Sequence, residues 1–411
     1  MKKLAKTLAA GTIAISLSGF TFDAVSADQY ASVPELKTEI SKDEFNEKKH
    51  WKKDDAHSVD GLRLIGSETV PNDLTYKGTS VGGLSGLSYN PKGNKWILIS
   101  DDRSAIDPAR FYTAKLNYNH RDFQSVHVIG VTPLKQADGT FFPDSNNYNS
   151  EKNSNVPDFE SIRFDPVNKT IWYTSEGDRS LGLNPLILQA QLDGSYLSRL
   201  PLTDTAKMDD QSNKGFRNNL ALEGTTFSAD GLTLWTAMEG PLIQDDQVPT
   251  LETGSLSRIT QYNRNGNVLN EFAYTIDPIP AEPGEGMAAD NGVSEILSIN
   301  DNRFLVLERS AVQADDGSYS NYIRIYKIDV RGATDISEIE SLKSKDITPV
   351  KKELVLNLNS LGLDKLDNIE GMSWGKELPN GNDSLVLVSD NNFNDSQVTQ
   401  FIAFEVLPER E

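Results

Sequence analysis

The sequence predicts an all-β fold, a β-propeller of four-stranded blades, on three observations. From Gly61 onward the chain is built of short apolar runs separated by Gly, Asn, Asp and Pro, with no long stripe of 3.6-residue period. One hairpin pattern recurs five times along the chain. Further strand candidates follow most of the hairpins, and four-stranded units repeated around an axis are propeller blades.

The repeats read "LSGLSYNPKGNKWILISDDRS", "FESIRFDPVNKTIWYTSEGDRS", "LEGTTFSADGLTLWTAMEG", "SEILSINDNRFLVLERS" and "IEGMSWGKELPNGNDSLVLVSDNN". Their first strands open at Ser85, Glu160, Glu223, Glu295 and Glu370 and end near Tyr89, Phe164, Phe227, Ile299 and Trp374. After a turn rich in Gly, Asn, Asp or Pro comes a second apolar strand, ending on Asp101, Glu176, Glu239, Glu308 or Asp390. Two such strands and a turn make a β-hairpin. The third strands are "RFYTAKLNY", "LILQAQL", "SRITQYNR", "YIRIYKIDV" and "TQFIAFEV", and a fourth fits before each next repeat. The last repeat has three strands before the chain ends, so "LRLIGSETV" at 62–70 is placed to supply its fourth and close the ring. Residues 136–156, 203–218, 241–256 and 312–321 read as inserted loops, with room in them for a sixth, degenerate blade.

Upstream, residues 1–27 read as a secretory signal peptide. Lys2, Lys3 and Lys6 precede a small apolar stretch, and Val25-Ser26-Ala27 is a small-residue cleavage site. The apolar stretch is shorter than the ~20 residues a spanning helix needs, and no later run is long enough. Residues 28–60 form a polar linker, leaving 61–411 as the domain. A formal net charge of −20 argues against nucleic acid as a partner, since phosphate counterions are displaced by basic surface. The same charge suits cations, and it also keeps a secreted protein soluble. With no cysteine, stability must come from a large core or a bound metal. A monomer is expected.

The first and second acids of each hairpin fall at the same end, opposite the turn. With the inner strands lining a central channel, the repeat gathers up to nine carboxylates at one mouth, Ser85 being the exception. Oxygen donors, with no Cys and only four His, suit Ca²⁺ or Mg²⁺ rather than Zn²⁺, and the abundance of extracellular calcium favours Ca²⁺, held by Asp101, Glu160, Glu176, Glu223, Glu239, Glu308, Glu370 and Asp390. The competing reading is that these acids accept backbone hydrogen bonds and bind nothing. Arg103, Arg179 and Arg309 each follow the second acid and precede a serine. They read either as struts between blades or as forks for a phosphate or carboxylate. The histidines (His50, His57, His120, His127) are distant in sequence from the repeat acids, so a Ser-His-Asp triad has no support.

The motifs "GGLSGLSYNPKGNKWILISDD", "DFESIRFD…IWYTSEGDRS", "ALEGTTFSADGLTLW", "EILSINDNRFLVLERS" and "DNIEGMSWG…LVLVSDNN" together resemble the phytase-like domain family, esterase-like activity of phytase, over residues 80–405. That resemblance implies a secreted or periplasmic propeller and phosphoester hydrolysis. On this basis Glu160, Glu223, Glu370, Arg103, Arg179 and Arg309 are the candidate catalytic residues for a small anionic substrate. The alternative is a non-catalytic extracellular propeller with structural Ca²⁺ sites.

Overall fold

The structure, a computed structural model, describes residues 57–152, 154–209 and 211–409. The signal-peptide reading of 1–27, and the linker up to residue 56, lie outside the described residues. The described chain begins with β1 (Gly61–Val70) and a short ribbon of β2 (Thr75–Tyr76) and β3 (Thr79–Ser80).

Four blades then follow in sequence order. Blade one is β4 (Leu84–Asn90), β5 (Lys95–Ser100), β6 (Arg110–Tyr118) and β7 (Phe123–Pro133). Blade two is β8 (Phe159–Asp165), β9 (Thr170–Ser175), β10 (Leu186–Ala190) and β11 (Tyr196–Leu200). Blade three is β12 (Leu222–Phe227), β13 (Thr233–Met238), β14 (Ser255–Asn263) and β15 (Val268–Ile276). Blade four is β16 (Gly292–Ser298), β17 (Arg303–Gln313), β18 (Tyr319–Asp329) and β19 (Lys351–Asn357). Blade five is β20 (Asn368–Trp374), β21 (Ser384–Asp390) and β22 (Thr399–Leu407), with β1 as its outermost strand. β1 pairs antiparallel with β22, from Gly61 opposite Leu407 to Val70 opposite Thr399.

The inner strands β4, β8, β12, β16 and β20 touch in that order, and β20 meets β4, so the sheets form a ring. The protein is a five-bladed β-propeller. Among the described residues there is no sixth blade. Of the predicted insertions, 312–321 is strand on both sides of a tight turn at 314–318, because β17 and β18 run on past the inner hairpin.

Each blade contact holds its own apolar cluster, since strands in stacked sheets bury both faces. Leu87 and Trp96 meet Val386 and Phe401 between blades one and five. Ile99 and Phe111 meet Phe159 and Tyr173 between blades one and two. Trp235 meets Phe304 between blades three and four, with ring centroids 4.6 Å apart. Burial at about 25 cal/mol per Å² of apolar surface makes these clusters the main favourable term.

The inner strands share one irregularity. Register shifts fall between Leu84 and Gly86, Phe159 and Ile162, Leu222 and Gly224, Val293 and Glu295, and Ile369 and Gly371. Such bulges bend a strand and re-aim a side chain. Here they recur at the same level of every blade and define one layer at the mouth of the channel.

Candidate functional site

The bulges set which side chains belong to that layer. Leu84 pairs with Ser100, Phe159 with Ser175, Leu222 with Met238, Val293 with Glu308 and Ile369 with Ser389. The equivalent bulge residues are therefore Ser85, Glu160, Glu223, Ser294 and Glu370. The residues that follow these partners on the second hairpin arm, at the same level, are Asp101, Glu176, Glu239, Arg309 and Asp390. The mouth thus carries seven carboxylates, one guanidinium and two hydroxyls, rather than nine carboxylates.

Blade four departs from the expectation by one residue. Glu295 and Glu308 are each one position from the layer, and on a strand one position reverses the face. Glu308 turns outward, where Lys352 Nζ lies 2.5 Å from its carboxylate and the Tyr274 hydroxyl donates at 2.6 Å. It is not brought to the acid cluster. Glu295 drops deeper into the channel, 2.7 Å from the Arg163 guanidinium, and accepts from the backbone N–H groups of Thr225 and Ile296 at 3.0 Å. Ser294 and Arg309 take the vacated places. The cue lay in "GLS" at 83–85 and "GVS" at 292–294, which align Ser294 with Ser85.

The closest grouping is Glu160, Glu176 and Glu223, which can each present a carboxylate oxygen within 4.8 Å of the others. All three are buried. Burial, then the carboxylates of Glu176, Asp158, Glu370 and Asp101, hold Glu160 well above its ordinary range. Burial and the carboxylates of Glu160, Glu239, Glu176 and Glu370 do the same to Glu223. Glu176 is pushed up to about 8, by burial first and then Asp158, although the Ala221 N–H donates to it at 2.5 Å. Burial and Glu370 bring Asp101 to about 8, and Asp390 is likewise raised by burial and Asp101. Asp158, just before β8 and not anticipated from the sequence, is raised to about 6, chiefly by burial.

Close packing holds the layer in place. Gly83, in the left-handed region at φ 60°, has Asp101 over it: a Cβ there would lie 2.1 Å from Asp101 Oδ1. A Cβ on Gly292 would lie 2.6 Å from Glu239 Cγ.

The predicted arginines do three different things. Arg309 belongs to the layer, with Nη2 donating to Glu239 at 3.1 Å and Nε 3.8 Å from Glu370. Burial alone would lower its guanidinium, but Asp290, Glu370, Glu239 and Glu223 together raise it above its ordinary value. Arg103 bridges blades one and two, 2.5 Å from Asp178 and 3.7 Å from Asp158. Arg179 donates to the carbonyls of Lys214 and Phe216 at 3.1 and 2.8 Å.

A further arginine, Arg163, went unnoticed in the sequence. It sits on the channel axis beneath the acids and donates to one backbone carbonyl of each inner strand. These are Leu87 at 2.8 Å, Ile162 at 3.0 Å, Thr225 at 2.6 Å, Ile296 at 3.2 Å and Met372 at 3.1 Å. The guanidinium and Glu295 together form the floor of the site.

The family described as "Phytase-like: Esterase-like activity of phytase" matches residues 79–393. The chain belongs to the phytase-like family. No curated protein matches it. Among solved structures, this phytase-like propeller is similar to a thermostable family-43 glycoside hydrolase, at 13% identity and TM-score 0.40, over 82% of this chain and 94% of that one. It is also similar to a tail fiber of Staphylococcus aureus phage P68, at 12% identity and TM-score 0.34, over 83% of this chain and 53% of that one. A third is the Dos1 propeller, at 9% identity and TM-score 0.30, over 87% of this chain and 98% of that one.

The acid layer of this phytase-like protein fits a calcium ion. Its donors are all oxygen, the Asp101 Oδ1 atom is buried with no hydrogen-bond partner among the described residues, and burial together with mutual repulsion holds the carboxylates above their ordinary values. A cation reverses that repulsion.

Proposed function

We propose that this protein is a secreted phytase-like hydrolase, a Ca²⁺-dependent phosphoesterase acting on a phosphomonoester or phytate-like substrate at the acid layer. The observation that carries the reading is the Glu160–Glu176–Glu223 grouping, three buried carboxylates within 4.8 Å in a family described by phytase and esterase activity. These three would hold the ion, with Asp101, Glu239, Glu370 and Asp390 adding negative charge around it. Bound calcium would supply charge for phosphoryl oxygens and acidify a water. Glu370, outside the closest grouping, would accept the proton of the attacking water, and Arg309 would neutralise a phosphoryl oxygen. The Arg163–Glu295 floor would exclude entry from beneath.

The test is hydrolysis of p-nitrophenyl phosphate and of phytate, with Ca²⁺ and with a chelator. Turnover that the chelator abolishes and Ca²⁺ restores is expected. A folded protein that turns over neither substrate under either condition overturns the reading. A binding-only propeller is favoured by one observation: Arg103 and Arg179, expected over phosphoryl oxygens, are both engaged by groups of the protein itself. Calcium binding without hydrolysis would decide for it.

A further inference from the structure

The mouth layer is chemically lopsided. In blades two and three the bulge residue and the residue leaving the second strand are both glutamates, Glu160 with Glu176 and Glu223 with Glu239. In blade four the same two places hold Ser294 and Arg309. An acceptor pair has become a donor pair. Ser294 is 4% exposed, and its Oγ has no hydrogen-bond partner among the described residues. Arg309 Nε is buried and also makes no hydrogen bond, the Glu370 carboxylate lying 3.8 Å from it as an ion pair. A buried donor left unmade costs its desolvation, so such groups mark a missing partner. Two of them in one blade, at places where the neighbouring blades turn side chains into the channel, ask for an acceptor there. The carboxylates around Arg309 are Asp290, Glu370, Glu239 and Glu223, of which Glu239 takes Nη2 and Glu370 stands too far from Nε for a hydrogen bond.

We propose that Ser294 and Arg309 form an oxyanion subsite that takes one phosphate group, on the opposite side of the channel mouth from the Glu160–Glu176 hairpin. This rests on the hydrolase reading for its setting, but it concerns binding alone. The Ser294 hydroxyl and the Arg309 Nε–H donate to phosphoryl oxygens, a charge-assisted contact that the more highly charged phosphate makes more strongly than a planar monoanionic carboxylate. The seven carboxylates repel an anion unless a cation is present, so phosphate and Ca²⁺ bind with positive cooperativity.

The test is calorimetric titration of inorganic phosphate, with acetate as the planar control, into wild type, Ser294→Ala and Arg309→Gln, each with and without Ca²⁺. Wild type should bind phosphate in Ca²⁺ and much more weakly without it, and acetate more weakly than phosphate. Arg309→Gln should lose about tenfold or more in phosphate affinity. Ser294→Ala should lose several-fold while its melting temperature holds or rises, because an unpaired buried hydroxyl is gone. That last combination is one a purely structural serine would not produce, and it keeps the test usable if Arg309→Gln unfolds. Phosphate affinity unchanged in Ser294→Ala and in folded Arg309→Gln overturns the subsite, as does a wild type that ignores phosphate in Ca²⁺. Phosphate binding without any hydrolysis would sink the hydrolase reading and leave the subsite standing.

Discussion

At the scale of single residues, the acid layer makes stability depend on pH and, with the calcium ion proposed above, on calcium as well. Asp101 and Glu176 sit at about 8 in the folded protein, well above the ordinary carboxylate value of about 4, with burial as the first cause. Without a cation they fold in the neutral form. As pH rises past the ordinary value, the unfolded chain ionises and gains free energy that the folded chain does not. Stability of the calcium-free protein therefore falls from about pH 4 to about pH 8 and levels off above the folded values. Calcium bound as proposed would favour the ionised form, so its stabilising effect would grow over the same window. Thermal melts in chelator and in Ca²⁺ at pH 5 and pH 8 should show a small gap at the lower pH and a large one at the higher. Equal gaps would mean that these carboxylates do not face the ion. Within the same layer, Glu160→Gln should weaken Ca²⁺ binding by about tenfold or more and leave the calcium-free protein no less stable, since it removes a repelled charge. Calorimetry with Ca²⁺ and a melt in chelator check the two halves.

At the scale of strands and hairpins, one residue of register separates a carboxylate of the mouth layer from a strut. Glu308→Gln should leave Ca²⁺ affinity unchanged while lowering the melting temperature, because Glu308 is bonded to Lys352 and Tyr274 outside the mouth. Glu176→Gln should do the reverse and cut Ca²⁺ affinity. A loss of calcium binding in Glu308→Gln would show that the register is misread. This contrast also shows what the sequence could reveal. The hairpins were legible because alternating apolar residues and Gly, Asn or Asp turns are local signals: "RFYTAKLNY" is β6 from end to end. The site was legible where an acid stands alone at the strand end, as at Glu176 or Glu239. It was not legible in "LERS", where an acid and an arginine are adjacent and only the pairing of Val293 with Glu308 shows which one turns inward. Arg163 was invisible for a different reason. It lies within "SIRF", an alternating strand like any other, and its five carbonyl partners come from strands up to 209 residues away.

At the scale of the whole molecule, Arg163 is the group that all five blades share. Its guanidinium takes a backbone carbonyl from each inner strand, and Glu295 lies 2.7 Å from it as counter-ion. Most other contacts between blades join neighbours only, through the apolar clusters and ion pairs such as Arg103–Asp178. A rigid planar fork on the axis ties them at one level and so holds the bulges above it in register. Arg163→Met keeps much of the volume but leaves the Glu295 charge buried without its cation and carbonyls without donors. Breaking a buried pair from one side costs about 3–5 kcal/mol, so the midpoint of urea unfolding should fall steeply. Glu295→Gln alone strands the arginine instead and should also destabilise. The double variant Arg163→Met, Glu295→Gln leaves no unpaired charge and should recover part of the loss, giving a coupling energy well outside the few tenths expected of independent sites. Additive losses would mean that the floor is two separate contacts rather than one ionic unit. Calcium affinity supplies the second readout: if the axis holds the acid layer in register, folded Arg163→Met should bind Ca²⁺ more weakly than wild type although no carboxylate of the layer has been changed.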